Sequence, residues 1–134
     1  MKTCLDTNAY VSFKKINRAL TEFLESADEI FVPAVVLGEL YAGFYLGSKT
    51  KNNLSELADF LELPGVSIVA INHEIAERYG QLIAALSRSG TPIPTNDVWI
   101  AATVFETGSR LVTYDGHFNK VPGLAVCSPS EKFL

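Results

Sequence analysis

A carboxylate set among hydrophobes must be given partners by the fold, and this chain makes that demand four times. Asp6 lies in Thr3-Cys4-Leu5-Asp6-Thr7-Asn8 and Glu39 in Val35-Val36-Leu37-Gly38-Glu39-Leu40. Asp97 lies in Pro94-Thr95-Asn96-Asp97-Val98-Trp99-Ile100-Ala101-Ala102, and Asp115 in Leu111-Val112-Thr113-Tyr114-Asp115. Burying such a group is costly unless a cation, an opposite charge or hydrogen bonds compensate it. Few basic residues lie next to any of the four. A hard divalent metal held by converging carboxylates is the economical solution, so the fold must bring distant segments to one place.

The pattern between the acids alternates strands with helices. Lys2 to Leu5 reads as a first strand ending at Asp6, and Thr7-Asn8 as a turn and helix start. From Ala9 to about Ala27 the apolar positions Val11, Phe13, Ile16, Leu20, Phe23 and Leu24 keep a helical period, with a break near Lys14-Lys15. Glu29 to Val32 is a second strand stopped by Pro33. Ala34 to Gly47 is an apolar helix whose one charge is Glu39, and Thr50 to Leu63 an amphipathic one ended by Pro64-Gly65. Val66 to Ile71 has the β-branched content of a buried strand. Asn72 caps a helix reaching about Ser87, with Ile75, Tyr79, Leu82, Ile83 and Leu86 inward. Thr95 can cap a helix that stops at Gly108. Leu111 to Tyr114 and Leu124 to Cys127 complete the strands.

This alternation implies an α/β fold: a mostly parallel central sheet flanked by helices on both faces. Asp6 and Asp115 then follow strands at their C-terminal ends, where open α/β sheets place their sites. Asp97 falls in a first helical turn, whose dipole favours an anion. Glu39 falls about two turns into its helix.

At 134 residues one domain, spanning 1–134, is expected. Hydrophobic residues make up 48% of the chain, and the excess apolar surface implies coverage by a partner or a second copy. No run approaches the ~20 apolar residues of a membrane span, and no signal-peptide core precedes the first strand. Cys4 and Cys127 lack C-x-x-C or nearby His partners, so a zinc site is not expected; two buried thiols in a reduced, cytoplasmic setting are. The net charge of −4 argues against tight non-specific DNA binding but not against RNA held through metal-bridged phosphates.

Each acid also has a structural reading. Asp6 can be a helix cap, Asp97 a helix-dipole partner and Asp115 a turn residue before Gly116. Glu39 fits a solvated helix face poorly, because Val35, Val36, Leu40, Tyr41 and Phe44 surround it at helical spacing. The combination carries the inference. Carboxylates without a Cys or His nucleophile suit metal-assisted hydrolysis, and Mg²⁺ or Mn²⁺ points to phosphodiesters. His73 reads as a helix-start residue and His117 as a loop residue near the site. The lysines and arginines read as surface, and Trp99 and Phe105 as core.

These motifs, in this order and spacing, resemble the PIN-domain ribonucleases, in particular the VapC-type toxins of toxin–antitoxin modules. The opening Leu5-Asp6-Thr7-Asn8, the Glu39 segment, the Asp97 segment and Asp115 with His117-Phe118 and Val121-Pro122-Gly123-Leu124 carry the resemblance. It implies a single PIN-like domain and a Mg²⁺- or Mn²⁺-dependent endoribonuclease that stops growth. Asp6, Glu39, Asp97 and Asp115 would be both the metal ligands and the catalytic acids, with Thr7, Asn8, Asn96 and Thr113 supporting them. The resemblance also implies a homodimer and a cognate antitoxin covering the site. One departure stands out: where members often carry an acid before the Phe of the last motif, this chain has His117.

Three alternatives compete. Another Mg²⁺-dependent α/β phosphohydrolase of the haloacid-dehalogenase pattern needs Asp-x-Asp at the first strand, but the chain has Asp6-Thr7-Asn8. A receiver-like domain needs paired acids there and meets the same obstacle. A catalytically silent PIN fold acting as a binding module would be expected to have lost an acid, and all four are present.

Overall fold

The computed structural model describes residues 1–15 and 17–130. Among these residues five strands, β1 (Lys2–Leu5), β2 (Glu29–Pro33), β3 (Val66–Val69), β4 (Arg110–Val112) and β5 (Val126–Cys127), form one sheet in the order β3-β2-β1-β4-β5. Every pairing is parallel. Among the described residues six helices intervene: α1 (Thr7–Lys14), α2 (Arg18–Glu25), α3 (Ala34–Leu46), α4 (Thr50–Leu61), α5 (His73–Arg88) and α6 (Thr95–Thr107). A short 3-10 helix, Gly116–Lys120, follows β4. From β1 to β3 the chain steps one way across the sheet; from β3 to β5 it returns past its start. Since parallel crossovers are as a rule right-handed, stepping in opposite directions is expected to put helices on both faces, and the strand order sets a switch point between β1 and β4.

Central position explains the composition of β1 and β4. Thr3, Cys4, Leu5, Leu111 and Val112 are wholly buried, since these two strands are paired on both sides and covered on both faces. The main core joins them to Leu20 and Leu24 of α2, Val36 and Leu40 of α3, and Leu57 and Phe60 of α4. A second cluster packs Leu86 of α5 against Val98 and Ala101 of α6 and against Val121. Tyr79 stacks on Trp99 at 3.7 Å between ring centroids, which places Trp99 in the α5–α6 seam.

Several local expectations need correction. The first helix starts at Thr7 rather than Ala9, because Asp6 caps it. The α1/α2 break falls near Lys14-Lys15 as expected, and Asn17 caps α2 through Leu20 N–H at 3.1 Å. Ile16, expected in the helical stripe, lies outside the described residues, as do the last four residues of the expected 1–134 domain. Thr95 is the first helical residue of α6, not its cap; Pro94 holds that position without a side-chain hydrogen bond. Gly108 does close α6, in the left-handed conformation at φ 65°. The expected buried strand Val66 to Ile71 is an edge strand ending at Val69, with Ile68 53% and Ile71 44% exposed. Among the described residues it pairs only with β2, and β-branched content alone does not distinguish edge from centre. β4 ends at Val112, leaving Tyr114 exposed, and β5 shortens to Val126–Cys127, where Cys127 is only half-buried.

Candidate metal centre

The C-terminal ends of β1 and β4 open onto a cleft of about 380 Å³. Asp6, Glu39, Asp97 and Asp115 all line it, so four separate elements deliver the four acids to one place. Asp6 enters directly from β1, and Asp115 from the turn after β4. Asp97 comes from the first turn of α6, and Glu39 from the middle of α3.

Asp6 is buried and uses both oxygens. Oδ1 accepts the Ala9 backbone N–H at 2.7 Å, and Oδ2 accepts the Thr113 hydroxyl. Capping α1 and lining the cleft are therefore one arrangement, with the cap fixing the carboxylate's direction. The same holds for Asp115, whose Oδ1 accepts the His117 backbone N–H at 2.9 Å and caps the 3-10 helix. Thr113 links the two acids. While its hydroxyl donates to Asp6, the same oxygen accepts the Asp115 N–H at 3.0 Å. Glu39 is held by the Thr7 hydroxyl, which donates to Oε1 at 3.0 Å.

Charge in the cleft is uncompensated by any strong base. Among the described residues no Lys or Arg pairs with the four acids; His117 is the one partner, with Nδ1 3.1 Å from Asp97 Oδ2 and 3.2 Å from Asp115 Oδ1. Burial pushes the Asp6 carboxyl above its usual range; bonds from Thr113 and Ala9 oppose this, and the charges of Asp115 and Asp97 add to it. Asp97 is raised as well, first by burial; the His117 hydrogen bond offsets part of that, and Asp115 pushes it up further. Carboxylates forced together at this cost form a donor set that a hard divalent cation would neutralise. The oxygens are of the right kind; Asp97, Asp115 and His117 each offer a donor atom within 4.8 Å of the others, while Asp6 and Glu39 line the same cleft outside that trio.

The expected supporting residues divide in two. Thr7 and Thr113 bond the acids, whereas Asn8 and Asn96 line the cleft as exposed amides. His117 belongs to the site rather than merely to its loop, and Ile100 and Pro94 supply part of the wall. The signal for His117 was its place two residues after Asp115, but a spacing of two in a loop does not say which way a ring points.

A second groove of about 550 Å³ shares Thr7 and Glu39 with the cleft and runs between α1, α3 and α4. Lys14, Lys15 and Lys49 line it together with Tyr10 and Phe44. Glu56 lies in the same groove, 3.9 Å from the Lys14 amine.

The architecture and its motifs have known counterparts. A sequence profile of the PIN domain family matches residues 3–124. Ribonuclease VapC2 of Haemophilus influenzae is 30% identical over 115 residues, covering 84% of this chain and 86% of that one. The structure of VapBC2 from Rickettsia felis, bound to a DNA fragment from its promoter, is similar at TM-score 0.85 and 28% identity. It covers 94% of this chain and 97% of that one. DNA-bound VapBC from Salmonella typhimurium gives 0.84 at 26% identity, with 94% and 96% covered.

Proposed function

The chain belongs to the PIN domain family, and from that premise we propose that it is a metal-dependent endoribonuclease of the VapC type, the growth-inhibiting toxin of a type II toxin–antitoxin module. One observation carries the reading: four acids from four elements line one cleft, and among the described residues no lysine or arginine neutralises them. Residues 1–134 act as one PIN domain in this reading, and Asp6, Glu39, Asp97 and Asp115 are the metal ligands and catalytic acids.

Mg²⁺ or Mn²⁺ bound there supplies Lewis-acid charge at the phosphodiester and a more acidic water. The protein's own part is positioning. Thr113 and the α1 cap fix Asp6, and Thr7 fixes Glu39, so the carboxylates do not have to reorganise when the ion and a phosphate arrive. Asn8 and Asn96, at the lip, are placed to donate hydrogen bonds to phosphate or ribose oxygens. Lys14, Lys15 and Lys49 would attract the flanking phosphates along the adjoining groove, compensating locally for an acidic chain.

The relatives' structures are VapBC complexes, so a cognate antitoxin that covers the cleft is part of the proposal, as is a homodimer. Apolar surface suited to such partners is present at the end of α3, where Tyr45 is 67% and Leu46 89% exposed. Among the described residues no helix is long and apolar enough to cross a membrane, and a cytoplasmic site of action is proposed.

The test is incubation of total RNA with purified, partner-free protein in Mg²⁺ or Mn²⁺, beside EDTA and Asp97→Asn controls. Discrete fragments that vanish in both controls are expected. Absence of fragments from folded, metal-binding protein would favour a binding module instead.

A further inference from the structure

His117 stands where the resemblance leads one to expect a carboxylate, and its ring is turned into the cleft rather than away from it. We propose that His117 is a nitrogen ligand of the ion in this cleft, and that it tilts the site's preference toward Mn²⁺ over Mg²⁺. The inference rests on the metal-dependent reading above.

The spacing of donor atoms supports it. Nδ1 lies 3.1 Å from Asp97 Oδ2 and 3.2 Å from Asp115 Oδ1. Adjacent donors in an octahedron with metal–oxygen bonds of ~2.0–2.1 Å are themselves separated by about 3 Å. A ring that merely salt-bridged one acid would not need to face both. The backbone holds it there from two sides. Asp115 accepts the His117 N–H at 2.9 Å, and the next residue, Phe118, is buried in the core. Ligation through Nδ1 replaces the Nδ1–H bond to Asp97 and leaves the ring proton on Nε2, where a side chain 47% exposed can give it to water without a desolvation cost.

The metal preference follows from donor chemistry. Mg²⁺ is hard, prefers an all-oxygen octahedron and gives up its waters reluctantly. Imidazole binds later first-row ions better, and Mn²⁺ accepts a mixed oxygen and nitrogen set more readily than Mg²⁺. A carboxylate at position 117 would remove that bias.

The deciding experiment is electron spin echo envelope modulation of the Mn²⁺-loaded full chain in a nitrogen-free buffer. It compares wild type with His117→Asp and with His73→Ala, since the chain has two histidines. Directly bound ¹⁴N should appear in wild type and His73→Ala. It should be absent from His117→Asp, which should still bind Mn²⁺ but with a Mn²⁺-to-Mg²⁺ affinity ratio lower by roughly tenfold. Uniform ¹⁵N-histidine labelling of wild type should convert the signal to that of ¹⁵N, so the result stands even if the variant fails to fold. Bound Mn²⁺ without a directly coordinated histidine nitrogen overturns the proposal and leaves the metal site intact, with His117 reduced to a counter-ion of Asp97 and Asp115. A wild-type protein that binds no Mn²⁺ overturns both.

Discussion

Thr113 shows how much of the site depends on single atoms. Its one oxygen donates to Asp6 and accepts from the Asp115 backbone, so it joins the ends of β1 and β4 across the switch point. Thr113→Val keeps the shape but leaves a buried carboxylate oxygen and a backbone N–H without their partner. We expect a loss of about 1–3 kcal/mol in urea unfolding and a marked fall in RNA cleavage, with Thr113→Ser restoring both. Asp6 invites the opposite expectation. Its folded-state carboxyl is raised above the ordinary 3.8, so the native state binds a proton more tightly than the unfolded chain. In EDTA, wild-type stability should fall relative to Asp6→Asn as the pH rises through the window from that ordinary value to the raised one, then stay lower. Asn can still cap α1. Thermal melts of the two proteins across pH test this; a difference that is constant with pH would rule out the burial penalty. At this scale the sequence revealed which residue types matter, because a charge among hydrophobes is conspicuous. The direction of the His117 ring was not legible, since neighbouring loop residues can face either way.

Elements carry the placement of those residues. Glu39 is useful because α3 is apolar enough to lie against the core, with Val36 and Leu40 buried, while its middle reaches the cleft. Alternation of strand-like and helical segments was readable because periods of 2 and 3.6 differ so clearly. Boundaries were less so: the helix at Asp6 began earlier because a cap overrides the apolar period, and Val66 to Ile71 shortened because an edge strand has only one partner. The α1–α3–α4 groove is likewise a property of packed elements, drawing Lys14 and Lys15 from α1 and its end together with Lys49 from the start of α4. Replacing Lys15 and Lys49 with Ala in an Asp97→Asn background should weaken single-stranded RNA binding. The log–log salt slope should drop by about 0.7 for each phosphate that the groove no longer neutralises. Fluorescence anisotropy over a salt series measures both; an unchanged slope would remove the groove from the RNA path.

For the whole molecule, the proposed metal centre would make the folded state a metal-linked one. An ion that binds only the native arrangement stabilises it by mass action. Mn²⁺ or Mg²⁺ should therefore raise the thermal midpoint of wild type near neutral pH, lose that effect as the carboxyls protonate in acid, and do little for Asp97→Asn. An equal rise in that variant would place the ion elsewhere. Light scattering of the partner-free protein should give twice the chain mass of 14.6 kDa, and Leu46→Glu with Tyr45→Ser should lower it if the end of α3 forms the contact. The sequence by itself determined the fold class, the family resemblance and the four acids, because periodicity, turn residues and misplaced charge are local properties written along the chain. Tertiary structure alone decided that Thr113 bridges two acids, that His117 turns inward, that β3 is an edge and that the lysines share a groove with Glu39. Those are relations between segments distant in the chain, fixed by how the sheet orders its strands and how the helices pack on it.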